Sequence, residues 1–175
     1  MDIKKIKDRI IRVNHAGEYA AKYIYKGQIC GLRRDKKSCD LAKEMLQTEL
    51  GHLDFFESEI KKNKTRPTLF LPIWKTIGFG LGLTTGLLGK KAAMACTVAV
   101  EDVIEKHYQK QIDLMAAMDF DDKDLILQIK KIRQEEIDHK DTGLQNDAKG
   151  ATFYDLMSVI IKFGCRVGIF VSKRV

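Results

Sequence analysis

Two stretches of this chain put a carboxylate and an imidazole, three residues apart, into helical stripes that are otherwise apolar. In "KIRQEEIDHKDTG" Glu136 precedes His139, and Leu125, Ile129 and Ile132 continue the same stripe backwards. In "MLQTELGHLDFF" Glu49 precedes His52 in line with Leu41, Met45, Phe56 and Ile60. Two lone carboxylates sit in comparable places. Glu18 lies beside the face formed by Ile3, Ile6, Ile10, Val13, Gly17, Ala20 and Ile24, and Glu101 interrupts Met94, Val98, Ile104, Tyr108 and Ile112. A buried carboxylate with no partner costs several kcal/mol, comparable to the net stability of a domain, so each must be solvated, paired or bound to a cation.

Read along the chain, these groups occur as Glu, Glu-x-x-His, Glu, Glu-x-x-His, so that the second half repeats the first. Each half is a helical hairpin donating one lone carboxylate and one i, i+3 pair, the ligand set of ferritin-like di-metal carboxylate bundles. A single Glu-x-x-His is ordinarily a surface pair. Two of them, each on an apolar stripe with a lone Glu one helix earlier, specify much more. Four carboxylates balance two divalent ions when both imidazoles are neutral. Oxygen and imidazole donors suit iron or manganese better than copper(I), and the absence of thiolates from the set argues against a structural zinc cage.

The elements that must position these groups are helices. The periodicity predicts a first helix over about Ile3–Leu32, a second carrying Leu41 to Ile60, another over about Lys90–Met118, one opened by the acidic turn "DFDDKD" and carrying Glu136 and His139, and a last over about 152–171. The chain is expected to form one domain, 1–175, an all-α, ferritin-like four-helix bundle with additional apolar helices at a membrane interface. The segment at about 67–89, "TLFLPIWKTIGFGLGLTTGLLG" within it, holds Pro72, Lys75 and several glycines between basic flanks, and so reads as an interfacial helix rather than a span. An ordinary buried loop and helix is the plainer alternative. The C-terminal "IIKFGCRVGIFVSKRV" is either a second such surface or a core helix. Gly78, Gly80 and Gly82 alternate and do not make Gly-x-Gly-x-x-Gly, and "GLLGKK" has Thr84 and Lys91 where a phosphate loop needs Gly and Ser or Thr.

The net charge of +7 suits an anionic surface, and the excess is concentrated in residues 1–37 and in Lys61, Lys62, Lys64 and Arg66. Neither group shows the aromatic interleaving of a single-strand binder, so no nucleic-acid partner is expected. Cys30, Cys39, Cys96 and Cys165 form no Cys-x-x-Cys and read as reduced structural cysteines in a cytosolic compartment. "MDIKKIKDRIIRV" has neither an apolar signal region nor a cleavage site, so no signal or transit peptide is expected.

With those residues in hand, the chain resembles the demethoxyubiquinone hydroxylases, di-iron monooxygenases of ubiquinone biosynthesis, and in its minimal leader their bacterial members. The resemblance rests on "NHAGEYAAKYIYKGQ", "RPTLFLPIWKTIGFGLG", "LLGKKAAMACTVAVED", "EEIDHKDTGLQNDA" and "IIKFGCRVGIFVS", nearly the whole chain. "TELGHLDFF" departs from the family's pattern between Glu49 and His52 but keeps both positions. The resemblance implies two iron ions held by Glu18, Glu49, His52, Glu101, Glu136 and His139, with Glu135 set aside for its offset from His139. It further implies O2 as co-substrate, NADH or another electron donor, and hydroxylation of the ring of a polyprenyl demethoxy-benzoquinone.

The implied setting is peripheral, on the cytoplasmic face of a bacterial cell membrane with anionic lipid. A homo-oligomer and other ubiquinone-biosynthesis proteins are the further expected partners. Tyr108, two turns beyond Glu101, and the adjacent His107 are candidates for a quinone or electron relay; a core tyrosine and a half-exposed helix histidine are the plainer readings. His15 is placed to orient a ligand through its ring N–H, and Tyr25, seven residues after Glu18, is assigned to the core. The competing functions are ferritin-like iron oxidation and storage or peroxide handling, and a membrane scaffold with a vestigial site.

Overall fold

A computed structural model describes residues 2–118 and 120–174, and among these every regular element is helical. The order is α1 (Ile3–Gly31), α2 (Lys36–Asn63), α3 (Leu71–Leu87), α4 (Lys90–Ala117), α5 (Lys123–Gln145), a short 3-10 turn (Ala148–Gly150) and α6 (Tyr154–Ser172). Aspartates open three of them: Asp2, Asp35 and Asp122 accept from backbone N–H groups of the first turns of α1, α2 and α5. Asp122 belongs to the acidic turn expected to start the helix of Glu136. Lys64 ends α2 in the left-handed region (φ 53°), which returns its N–H to the carbonyls of Ile60 and Lys61.

Helices α1 and α2 form one hairpin, α4 and α5 a second, and the two face each other. The chain repeats itself further than its ligand pattern suggests: α3 packs along α1 and α6 packs along α4, so each half is a hairpin followed by an apolar helix. The glycines explain how closely α3 approaches. Gly78, Gly82 and Gly86 recur every fourth residue on the face toward α1, where Gly27 and Gly31 answer them. A Cβ on Gly78 would lie 2.8 Å from the carbonyl oxygen of Ala20, and one on Gly31 would lie 2.6 Å from backbone atoms of Gly86 and Leu87. Their role is helix packing.

Two apolar clusters occupy the two ends of the bundle. One gathers Tyr25, Leu32, Met45, Leu46, Met94 and Val98, and the other Ile6, Ile10, Phe56, Tyr108, Met115, Leu125, Ile129 and Ile132. Ile3, expected on the apolar face of the first helix, is instead exposed in its first turn, whereas Gly17 and Ala20 border a cavity. Helices α3 and α6 turn their outer faces to solvent with Ile73, Ile77 and Phe79 on one and Val159, Ile160, Phe163 and Phe170 on the other. No helix among the described residues is long and apolar enough to cross a membrane.

Candidate metal centre

All six carboxylate and imidazole residues selected by periodicity are buried, each at 7% exposure or less, between the two apolar clusters. Glu18 comes from α1, Glu49 and His52 from α2, Glu101 from α4, and Glu136 and His139 from α5. They form two overlapping groups, Glu18, Glu49, His52 and Glu136 in one and Glu49, Glu101, Glu136 and His139 in the other, with ligand atoms within 4.8 Å of one another in each. Glu49 and Glu136 belong to both.

Each imidazole turns its Nδ1 inward. His52 Nδ1 stands 3.2 Å from Glu136 Oε1, 3.5 Å from Glu18 Oε2 and 3.9 Å from Glu49 Oε2. His139 Nδ1 stands 3.1 Å from Glu49 Oε1 and 3.7 Å from Glu136 Oε2. Despite this crowding, both oxygens of Glu49, Oε2 of Glu136 and both Nδ1 atoms lack a hydrogen-bond partner. Buried polar atoms are ordinarily paired. Orphans that converge on one another fit a pair of cations, and the donor set, oxygen with imidazole, fits iron or manganese.

The electrostatics lead to the same conclusion. Burial, reinforced by the neighbouring Glu136, pushes the Glu49 and Glu101 carboxyls well above the usual range. Burial opposes ionisation of Glu136 too, but His139 and His52 on either side hold it down at about 2. Burial opposes protonation of both imidazoles, but Glu136 and Glu18 raise His52 to about 12, and Glu136 and Glu101 raise His139. Without cations between them, the carboxylates can share this volume only by taking up protons or pairing with imidazolium.

Two tyrosines complete the shell by crossing between the halves. Tyr108 of α4 donates to Glu18 Oε1 of α1, while Tyr25 of α1 donates to Glu101 Oε1 of α4 at 3.2 Å. Both rings are buried, and burial pushes both phenols well above their ordinary value. Tyr25 also meets the His139 ring edge-on, with centroids 6.0 Å apart, so it belongs to the site and not merely to the core. Glu135, excluded by its offset from His139, reaches the other hairpin: its Oε2 lies 2.8 Å from His52 Nε2.

The remaining candidates lie outside this shell. His15 is buried beside Tyr19 with an unpartnered Nδ1, and no hydrogen bond links it to the six among the described residues. His107 pairs with Gln111 Nε2 at 2.9 Å, and Gln111 in turn bonds reciprocally with Asn14. Burial, with Lys173 and Lys110 nearby, lowers His107 to about 4.

A cavity of about 430 Å³ runs from the outer faces of α3 and α6 to the carboxylates. Glu18, Glu49, Glu101 and Glu136 form its inner wall, Trp74 and Ile77 of α3 and Phe163 and Val167 of α6 its outer part. His107 and Tyr108 are not on that wall.

Residues 5–172 match the family model described as ubiquinone biosynthesis protein COQ7. The chain belongs to this family. It is 46% identical over 168 residues to the human NADPH-dependent 3-demethoxyubiquinone 3-hydroxylase, covering 95% of this chain and 77% of the human protein. Identity is 41% over 168 residues to the Rhodospirillum rubrum 3-demethoxyubiquinol 3-hydroxylase, covering 96% and 78% of the two chains. It is 35% over 181 residues to the Saccharomyces cerevisiae 5-demethoxyubiquinone hydroxylase, again 96% and 78%. For this COQ7-family chain the helical architecture is consistent with a ferritin-like bundle. The name of the human relative specifies NADPH, where the resemblance implies NADH or another electron donor.

Proposed function

We propose that this chain is a hydroxylating oxidoreductase of ubiquinone biosynthesis, acting on the ring of a polyprenyl demethoxy-benzoquinone or its quinol with O2 and a reductant. The observation that carries the reading beyond family membership is the apolar cavity whose inner wall is made of carboxylates. A quinone ring fits beside those carboxylates while its isoprenoid tail leaves between α3 and α6. The ring C–H becomes C–OH, the second oxygen atom leaves as water, and two electrons and two protons come from the reductant and solvent.

Glu18, Glu49, His52, Glu101, Glu136 and His139 would hold two iron ions, which when bound supply the electrons that reduce O2 beside the ring. The chain's own residues supply the rest. The apolar wall orients the ring and excludes water, so that the reduced oxygen is spent on the ring. Tyr108 and Tyr25 donate their phenol O–H groups to Glu18 and Glu101 and so orient the two carboxylates that each belong to one ligand group only. Neither Tyr108 nor His107 lines the cavity, so the candidate relay between ring and electron donor through this pair runs by way of Glu18.

The exposed apolar faces of α3 and α6 are read as the surface that meets the bilayer, in a peripheral rather than spanning arrangement, with basic residues at headgroup level. Residues 1–175 then form one such domain. Membrane access is what separates this function from iron storage or peroxide handling, which need no route for a lipid.

The test is direct. Aerobically purified protein should contain about two irons per chain and should convert a demethoxy-quinone to its hydroxylated product when given NADPH or a chemical reductant. Iron uptake without product would establish the storage reading. Cells lacking the protein should accumulate the demethoxy precursor, read by mass spectrometry of their quinones.

A further inference from the structure

A second cavity, of about 520 Å³, lies where the first turns of α1 meet the end of α6, and its wall is Lys5, Asp8, Arg9, Arg12, Lys173 and Arg174. Five cations face one carboxylate. That carboxylate is already engaged, since Asp8 accepts from Thr65 Oγ1 at 2.7 Å and lies 3.7 Å from Lys4. Among the described residues, Arg9, Arg12, Lys173 and Arg174 form no ion pair. Crowding has an effect: burial, together with Arg9, Lys110 and Arg174, lowers the Lys173 ammonium below its ordinary value.

Two of the guanidinium groups are fixed in advance. Arg12 donates through Nε to the Arg66 carbonyl at 2.8 Å. Arg174 lies over the Phe170 ring at 3.4 Å and donates to the Phe170 carbonyl at 2.9 Å. Guanidinium groups held in this way favour phosphate oxygens, which their planar forks can grip at two points.

The basic cavity adjoins the apolar one twice. Arg12 borders the first and Val13 the second; Lys173 borders the first and Ser172 the second, with Ser172 tied to Trp74 by a 3.1 Å bond from Nε1. A ligand seated here has its anionic end among the cations and its less polar remainder beside the apolar route.

We propose that the cavity between the ends of α1 and α6 is a phosphate-binding site for a ligand of that shape. The phosphate belongs either to a reduced nicotinamide dinucleotide, placed to deliver electrons near the apolar cavity, or to an anionic phospholipid. The site is separate from the six metal-site residues, so its occupancy can be measured whether or not the hydroxylation reading holds.

The test uses the full chain, a variant carrying Arg9→Gln and Lys173→Gln, and a charge-matched control carrying Lys37→Gln and Lys130→Gln, both exposed positions outside the cavity. Titration calorimetry measures pyrophosphate, NADPH and NADH; sedimentation measures vesicles of phosphatidylcholine with and without phosphatidylglycerol. Circular dichroism checks the fold, and the single Arg9→Gln variant serves if the double one misfolds.

The site variant should lose about tenfold or more in affinity for at least one of these probes while the control stays within about twofold. A dinucleotide source shows as NADPH binding more tightly than NADH and losing most in the site variant. A lipid source shows as phosphatidylglycerol-dependent sedimentation lost in the site variant without dinucleotide binding. If no probe distinguishes the site variant from wild type, or if the control loses as much as the site variant, the proposal is overturned.

Discussion

The His52 and His139 halves of the candidate metal centre are built from repeated parts, yet they differ in how firmly each imidazole is held. Both turn Nδ1 inward, both share Glu49 and Glu136, and both have a lone carboxylate bonded by a tyrosine of the other half. On the outer side the repeat breaks. His52 Nε2 meets Glu135 at 2.8 Å, whereas Thr48 occupies the position in α2 that corresponds to Glu135 in α5. His139 has the edge of Tyr25 beside it, and no outer carboxylate among the described residues. A carboxylate on the far nitrogen fixes the tautomer and ring plane and makes the imidazole a stronger donor. Duplication accounts for the ligand count, and the departures from it make the two positions inequivalent.

The largest expected effect tests what the halves share. Glu136→Ala should abolish product formation and take the metal content from about two per chain to nearly none, because Glu136 faces both imidazoles. Glu18→Ala and Glu101→Ala should each remove metal from one position and leave about one per chain. Metal analysis beside circular dichroism reads both outcomes. If Glu136→Ala retained one tightly held metal, the shared role would belong to Glu49 alone.

Glu135→Gln tests the asymmetry itself. Its loss should weaken metal binding about 10- to 100-fold at the His52 position only, seen as one weakened step in a cobalt(II) titration followed by its visible spectrum. Two steps weakened equally would show that Glu135 acts through general charge, since it is partly exposed and also pairs with Lys131 at 3.7 Å.

The crossing tyrosines carry a smaller effect. Tyr108→Phe and Tyr25→Phe each remove one buried hydroxyl bond to a carboxylate and leave the ring in place, so each should cost the metal-free protein about 1–3 kcal/mol. Urea denaturation measures both. A loss near zero at either position would mean that its hydroxyl bond contributes nothing net to the fold.

What could be read from the residues alone follows from how local each signal is. The six ligand-type residues stand out because a helix returns to the same face every three or four residues, so that a charge in an apolar stripe is conspicuous without any knowledge of its neighbours. Glu135 is one step off that stripe, and its partner is on the other hairpin. Spacing within α5 therefore excludes it, although it reaches the outer nitrogen of His52. Tyr25 left a usable trace, its spacing from Glu18 repeating that of Tyr108 from Glu101, but the crossing of each hydroxyl to the opposite half is a property of the packed bundle.

The α3 glycines illustrate the same limit. Their alternation along the chain hides the every-fourth-residue set that lets α3 close on α1. The basic cavity joins residues near opposite ends of the chain, which no local pattern connects.

The smallest effect concerns the two shared carboxylates, which respond oppositely to pH. Glu49 is raised by burial and by Glu136, and Glu101, His52 and His139 are raised as well. Each contributes stability that is present below its unfolded pKa and lost as pH rises through the folded one. Glu136 is depressed to about 2, so its contribution is present above the ordinary carboxylate range and lost only as pH falls toward that value. Over about pH 5 to 9 the four raised groups therefore set the sign. The melting temperature of metal-free protein should fall by several degrees across that window. The metal-loaded protein should show the reverse slope, because its ligands bind metal only after losing their protons. Thermal melts across that window, with and without chelator, make the comparison. A metal-free protein that grows more stable as pH rises would mean that its imidazoles are neutral and Glu49 already ionised, and the contrast between Glu49 and Glu136 would disappear.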